Sequence, residues 1–458
     1  MHPKLSFEQA PPISVPFRFL MTAPWFGVLA GLLLLVRGGD GWASRWQVDV
    51  LVWTHLLAAG FMLQVMLGAL LQFVPVATGG NIWRPRWVAA VAHPLITLAV
   101  LVLAATFLFV RPAGFIWAAG LFFAGLSPFI VATAVALLRT PAQGATVPAL
   151  RLALVGLLVA VSLGGTLALV LGGGLSFDVA QGRSLPALVN VHAAWGLAGW
   201  ALMLVMGVSF LVVPMFQLTP AYPAPIARGL PWLLLAVLLF WSAALLFQDG
   251  SMAMGSGTLG VLSVLGVQAA GLLVAAIYAG VTLFLQHKRR RRLADVTLLY
   301  WRCAMSGLLS LVLSWLVFQI FPVLGEQPQA LLWLGVLAFM GVFVPAINGM
   351  LYKIVPFLIW LHLQQLGSLK TLPPNMKQMI SERRMRGQFV AHLLACGLSL
   401  AMLLWPVLSR LAGVALMVSF AWLAVNLIQA GRLYLDFRRR AMANPVDRTD
   451  AAAGHHGS

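Results

Sequence analysis

The sequence predicts an all-α integral membrane protein of twelve transmembrane helices. Hydrophobic residues make up 61% of the 458 residues and charged residues 9%, where a soluble domain carries about 25% charged residues. Apolar runs long enough to cross a hydrocarbon core, about 20 residues each, recur along the whole chain. Gly/Pro-rich or basic segments separate them, among them Thr78-Gly-Gly-Asn81, Gly172-Gly-Gly174 and Pro220-Ala-Tyr-Pro223. The same composition excludes a disordered chain, and two cysteines exclude a disulfide scaffold. The net charge of +18 would point to nucleic acid in a soluble protein. Here the basic residues cluster between apolar runs, so the expected partner is the lipid bilayer and not nucleic acid.

In chain order the spans fall at 17–36, 50–75, 87–110, 114–138, 149–172, 189–214, 229–247, 257–286, 296–321, 329–361, 387–407 and 411–435. The first follows a polar, proline-containing leader. Arg37-Gly-Gly-Asp40 succeeds it where a small-residue cleavage site would mark a signal peptide, so it reads as a membrane helix. Cys303 and Cys396 lie inside apolar runs and read as thiols. The chain reads as one transmembrane domain, 1–458, with a tail at 437–458. The closing Gly454-His455-His456-Gly457-Ser458 resembles a tag and is left out of the chemistry.

The basic segments set an expected direction. Lys288-Arg-Arg-Arg-Arg292, then Lys370, Lys377, Arg383, Arg384 and Arg386, then Arg438-Arg-Arg440 all fall on the side of the N-terminus. The opposite loops hold scattered arginines such as Arg37, Arg45, Arg111, Arg183 and Arg410. The positive-inside rule then expects both termini in the cytoplasm.

Three spans share an ending. The second closes with Gly68-Ala-Leu-Leu-Gln-Phe-Val-Pro75, the sixth with Gly207-Val-Ser-Phe-Leu-Val-Val-Pro214 and the tenth with Gly349-Met-Leu-Tyr-Lys-Ile-Val-Pro356. Gly68, Gly207 and Gly349 recur at nearly equal intervals, four spans each time. A motif on every fourth span is an internal repeat. Glycine lets helices approach closely in lipid, and proline loosens the last turn. His55 precedes Gly68, and His192 precedes Gly207, by almost the same stretch of chain; the tenth span has Leu334 to Val336 there.

Together these features resemble the haem–copper oxidase subunit I superfamily. The segments His55-Leu-Leu-Ala-Ala-Gly60 to Pro75 and His192-Ala-Ala-Trp-Gly196 to Pro214 look most like its divergent branches. Those are the nitric oxide reductase large subunit and the NnrS-type haem- and copper-containing membrane proteins. The resemblance implies three pseudo-threefold four-helix arcs, a bacterial inner-membrane location, and an electron-transfer or respiratory-complex partner. The family's paired histidines on span seven and two on span ten have no counterparts beyond His362. All eleven acidic residues fall in loops, tails or span ends, and proton relays usually need buried carboxylates. The expectation is a haem-binding protein without the full binuclear centre, in a nitric oxide or metal stress response, that neither reduces oxygen nor pumps protons.

His55 and His192 are the first candidates for haem or copper, because neutral imidazole suits both metals. The competing reading is two interfacial histidines bonded to backbone carbonyls. Met62 and Met66, one turn apart on the second span, and Met203 and Met206, nearly one turn apart on the sixth, offer thioethers for copper(I), although most methionines in an apolar chain are packing. The resemblance implies Met340 as an axial haem ligand and Arg410 as a propionate partner. His93, His362 and His392 form a second layer, for which an interfacial role is the simpler reading. Lys353 is expected to snorkel. Two rival functions remain: a permease or copper/metal transporter on the same scaffold, and a non-catalytic assembly partner.

Overall fold

The computed structural model of the chain describes residues 6–175, 184–246, 258–290, 295–365 and 374–443. Asp178, Arg183, Asp249, Arg291, Arg292, Lys370 and the tail from 444 onward lie outside the described residues. The described chain is helical, with no strand among its elements. The principal helices are α1 (Ser14–Arg37), α2 (Val48–Thr78), α3 (Pro85–Phe109), α4 (Pro112–Leu138), α5 (Thr146–Leu171) and α6 (Leu185–Gln217). They continue with α7 (Ala224–Leu246), α8 (Thr258–His287), α9 (Val296–Ile320), α10 (Pro328–Gln364), α11 (Glu382–Ala401) and α12 (Ser409–Ala443).

Among the described residues, eleven helices are long and apolar enough to cross a membrane, which makes this a multi-pass helical membrane protein. The exception is α11. Glu382, Arg383, Arg384 and Arg386 occupy its first two turns, and its apolar part ends at Ala401. That leaves fewer than the ~20 apolar residues a bilayer needs. The expected span at 387–407 is therefore shorter here, and Met402–Trp405 leave the helix.

Local chemistry sets several helix starts. Ser184 accepts from the amide of Ala187 at the start of α6, and Asp295 accepts from that of Leu298 at the start of α9. Pro85 and Pro112 open α3 and α4, where no intrahelical N–H is missed. Gly79, at φ 71°, ends α2 and gives its N–H to the carbonyl of Pro75.

Helices α2, α6 and α10 form the interior. In their most apolar windows 78%, 61% and 78% of residues are buried, against 17–50% in the other eight candidate spans. The repeated glycines explain how these helices sit so deep. A Cβ on Gly68 would come within 2.8 Å of the Phe19 side chain on α1, and one on Gly207 within 2.8 Å of Ala149 on α5. On Gly349 it would come within 2.8 Å of Tyr300 on α9. In lipid, such close approach replaces the hydrophobic drive as the source of helix attraction.

A second glycine precedes the motif by two helical turns on each interior helix: Gly60, Gly199 and Gly341. All three fall inside π-helical turns, Leu56–Met62, Trp195–Leu202 and Leu337–Phe343. A methyl group on Gly156 of α5 would overlap the Gly199 carbonyl, and one on Gly307 of α9 the Gly341 carbonyl. Phe26 of α1 takes the corresponding place against Gly60. Outside this interior the neighbours also recur every four helices. α1 packs on α12, α5 on α4 and α9 on α8; α3 packs on α4, α7 on α8 and α11 on α12.

Candidate functional site

The π turns matter because a wide turn adds a residue and re-aims the side chains before it, and such turns concentrate at functional sites. His55 ends the first α-helical stretch of α2, directly before the π turn. His192 stands just before that of α6, which opens at Trp195. The fold brings the two together. Their ring centroids are 6.4 Å apart and their planes 18° from parallel. Phe107 of α3 lies 5.8 Å from the His55 ring, centre to centre, and Phe115 of α4 closes on Phe107. Gly164 of α5 gives His192 room, since a Cβ there would stand 2.9 Å from the imidazole Cε1.

Backbone carbonyls set the tautomer of both rings. His55 Nδ1 donates to the Leu51 carbonyl at 2.7 Å, and His192 Nδ1 donates to that of Ala160 at 3.0 Å. Each neutral ring then keeps its lone pair on Nε2, the arrangement of a metal-ligating histidine whose second nitrogen is fixed. A metal sits about 2.0 Å from each nitrogen. With about 1.1 Å more to each ring centre, two opposed imidazoles on one metal lie roughly 6.2 Å apart. The observed centroid separation, 6.4 Å, is of that size, with the two rings stacked. No group of three or more His, Cys, Asp or Glu side chains that could hold a metal occurs among the described residues.

Arg45, one of the scattered loop arginines, is tied to the helix that carries His192. It lies in the loop before α2 and donates to Asn190 Oδ1 at 2.6 Å, close to His192 on α6. Its guanidinium also lies 4.4 Å over the Trp46 ring. Burial pulls its pKa below the ordinary arginine value. Arg410 instead lies exposed, against Gly38 at the end of α1. Arg37 is paired with the buried Asp49 at 3.1 Å.

The remaining candidates disperse. Met62 and Met66 are buried two and three turns beyond His55, about 10 Å or more along the helix. Met66 lines a cavity of about 130 Å³ with Met215 of α6 and Met350 of α10, and neither Met203 nor Met206 lines it. Met340 is fully buried in the π turn of α10, and its carbonyl accepts from His392 Nε2 at 3.0 Å. His392 thus satisfies a carbonyl of the widened turn. The ring nitrogens of His362 face the carbonyls of Leu358 and Pro11, at 2.9 and 3.1 Å, which leaves no nitrogen turned to a metal. Thr22 gives its hydroxyl proton to the Arg18 carbonyl, so His93 Nε2 donates to Thr22 at 2.9 Å. Lys353 does not reach out alone; it pairs with Asp295 at 2.9 Å.

Two buried polar networks carry no charge and so escaped a search for ionisable residues. Tyr278, Thr282 and Gln286 form a stripe at i, i+4, i+8 on α8. Thr282 bonds Tyr222, and Gln286 donates to Gln217. On the other side, Tyr300 and Tyr352 both donate to Gln388, which donates to Ser419, while Asn426 donates to Tyr352.

The repeat register locates the counterparts of the histidine pair. Ala194 stands to Gly207 as His55 stands to Gly68, and Leu334 stands to Gly349 as His192 stands to Gly207. On α5, Ala160 and Gly164 follow Ala149 by the same intervals at which Leu311 and Trp315 follow Tyr300 on α9. Ala194, Leu334, Leu311 and Trp315 all line one cleft of about 480 Å³. The third counterpart pairs Val336 with Trp53, both buried. There Trp53 packs on Trp42 and Phe339 at 5.3 and 5.7 Å. One position thus holds imidazoles, one a cleft and one a plug of aromatic rings.

Among known proteins, no family model and no curated protein matches the chain.

Proposed function

We propose that His55 and His192 ligate one metal centre through Nε2, and that this centre is haem iron. The observation that carries the reading is the 6.4 Å separation of two imidazoles whose Nδ1 atoms are both held by carbonyls. Haem held by both imidazoles would supply a redox-active iron suited to electron transfer. The chain's part is to hold both rings in one tautomer, to exclude water with Phe107 and Phe115, and to offer Arg45 and Asn190 for propionate binding. Copper(I) is the second reading. It is favoured by the absence of any third His, Cys, Asp or Glu ligand beside the pair among the described residues, since copper(I) accepts few, soft ligands.

In this reading the scaffold is a divergent relative of haem–copper oxidase subunit I. Twelve spans, with α11 as the short one, form three four-helix arcs whose inner helices are α2, α6 and α10. The bacterial inner membrane holds it with the basic face in the cytoplasm, an electron-transfer partner supplies or removes electrons, and nitric oxide or metal stress is its setting. The recurring glycine contacts and basic segments support this arrangement.

The test is an absorption spectrum with metal analysis on protein purified from haem- and copper-replete cells. A Soret band lost in both His55→Ala and His192→Ala supports haem. A colourless protein holding one copper, lost in the same variants, supports copper(I). A colourless, metal-free protein overturns both.

A further inference from the structure

The interior helices α2, α6 and α10 enclose between them the cavity of about 130 Å³ that Met66 lines. We propose that it binds the hydrocarbon chain of a long-chain fatty acid, whose carboxylate rests at the basic face.

In all three helices the lining follows the repeat register. It begins three residues before the motif glycine, at Val65, Leu204 and Ala346, and ends eight or nine residues after it, at Ala77, Phe216 and Phe357. That stretch of helix is about 17 Å long. The chains of one bilayer leaflet reach about 15 Å, half of the hydrocarbon core. Spread over such a length, the volume leaves a bore one hydrocarbon chain wide. Val65, Leu204 and Ala346 are buried, and the π turns of α2 and α10 meet beyond them, so the upper end is closed. Ala77, Phe216 and Phe357 are partly exposed, so the cavity opens toward the face that carries the basic segments.

The lining selects hydrocarbon. It holds no charged side chain, and Gln72 is its one amide. A charge drawn inside would lose its hydration without replacement. The thioethers do not converge on one ion: Met66 stands two residues before its motif glycine and Met215 eight after, about 15 Å apart along the helices. Left empty, an apolar bore forfeits packing contacts on every side, and a chain restores them. Three helices wall it, so a phospholipid could thread only one of its two chains.

The mouth selects an anion. Gln286 of α8 donates to Gln217 at 3.0 Å, and the Arg290 amide donates to the Leu218 carbonyl at 3.0 Å, directly beyond Phe216. These bonds hold the exposed Lys288 and Arg290 at the α6 side of the opening. Lys353 of α10 is already paired with Asp295. The leader closes the other side. The Ser6 amide donates to the Val76 carbonyl at 2.9 Å, and His362 Nε2 faces the Pro11 carbonyl at 3.1 Å. Glu8 lies in that leader and repels a carboxylate there, so the headgroup belongs beside Lys288 and Arg290.

The test uses the full chain in nanodiscs of zwitterionic lipid and a palmitic acid with a photoreactive diazirine near its methyl end. The expected result is labelling confined to the lining stretches of α2, α6 and α10, which unlabelled palmitate competes away. Octanoate, too short for the bore, and methyl palmitate, which lacks the charge, should each compete about tenfold more weakly. Ala69→Trp and Val208→Trp fill the bore from different helices and should each cut labelling about tenfold or more. Lys288→Gln combined with Arg290→Gln should weaken competition by palmitate about threefold or more and leave that by methyl palmitate unchanged. Labelling that persists in both filling variants, or that spreads over the lipid-facing helices, overturns the proposal. Equal competition by methyl palmitate or by added phospholipid does so too. Sequencing the labelled peptides of the wild type decides the matter even where a filling variant fails to fold. His55→Ala should leave the labelling intact, because that histidine stands about 15 Å beyond the closed end.

Discussion

The imidazole of His55 lies 6.4 Å from that of His192, with their planes 18° from parallel, although their helices, α2 and α6, stand four apart in the chain. Neither ring is free to turn, because a carbonyl holds each Nδ1. If the pair holds a metal or haem as proposed, removing either imidazole should abolish that binding outright, while His287→Ala, at the basic end of α8, should leave it unchanged. Metal content and the visible spectrum of the three variants check this. Retention of the full complement in His192→Ala would mean that α6 supplies no ligand.

The contact of Gly349 with Tyr300 gives a stability prediction. Gly349→Leu must push a side chain into α9 and should cost about 1–3 kcal/mol, the usual penalty of overpacking. Gly280→Leu on α8, where nothing lies within 4 Å, should be neutral or mildly stabilising. Thermal unfolding in detergent distinguishes the two.

Lys353 and Asp295 tie α10 to the start of α9. Burial acts to raise the Asp295 pKa, but the Lys353 hydrogen bond and charge, Thr297 and the Leu298 amide outweigh it and hold the carboxyl below its ordinary value. A depressed folded pKa adds stability that is fully present above the unfolded value, roughly 3.9, and is lost as pH falls through the folded one. The gap in melting temperature between wild type and Lys353→Met should be constant from neutral pH down to about 5 and should close below about 4. A gap that persists at the lowest pH would show that Lys353 acts by packing alone. The pair is partly exposed, so the gap should correspond to about 1 kcal/mol or less.

If the cleft and the histidine pair are counterparts, the ligands should be transferable. The combined change Ala194→His, Leu334→His and Trp315→Gly should raise the metal stoichiometry by about one per chain. The same protein without Trp315→Gly should gain less, because an indole stands at the repeat position of Gly164. An unaltered stoichiometry in the triple variant would refute the correspondence.

Reporter fusions test the direction in the membrane. Fusions after Lys288 and after Arg440 should report cytoplasm, and one after Arg410 should report the opposite side. A shared signal at Lys288 and Arg410 would break the topology.

Composition and run length alone determined that this is a helical membrane protein, because lipid admits few other ways to satisfy a backbone. The G-x-x-x-x-x-V-P endings determined which three helices repeat, since close approach demands glycine at fixed spacing. The earlier glycines Gly60, Gly199 and Gly341 keep one fixed distance from each motif and were equally legible. Their role escapes a sequence reading because a π turn has no simple sequence signature. Tertiary structure alone decided the rest. It brought His55 onto His192, bonded Arg45 to Asn190 on the helix of His192, left Arg410 against the end of α1, and tied His392 to the Met340 carbonyl. It also left a cleft at Ala194 and Leu334, and plugged the third position with Trp53. Side-chain contacts between helices four apart depend on rotation about each helix axis. Packing against neighbours sets that rotation, and no local pattern along one helix encodes it.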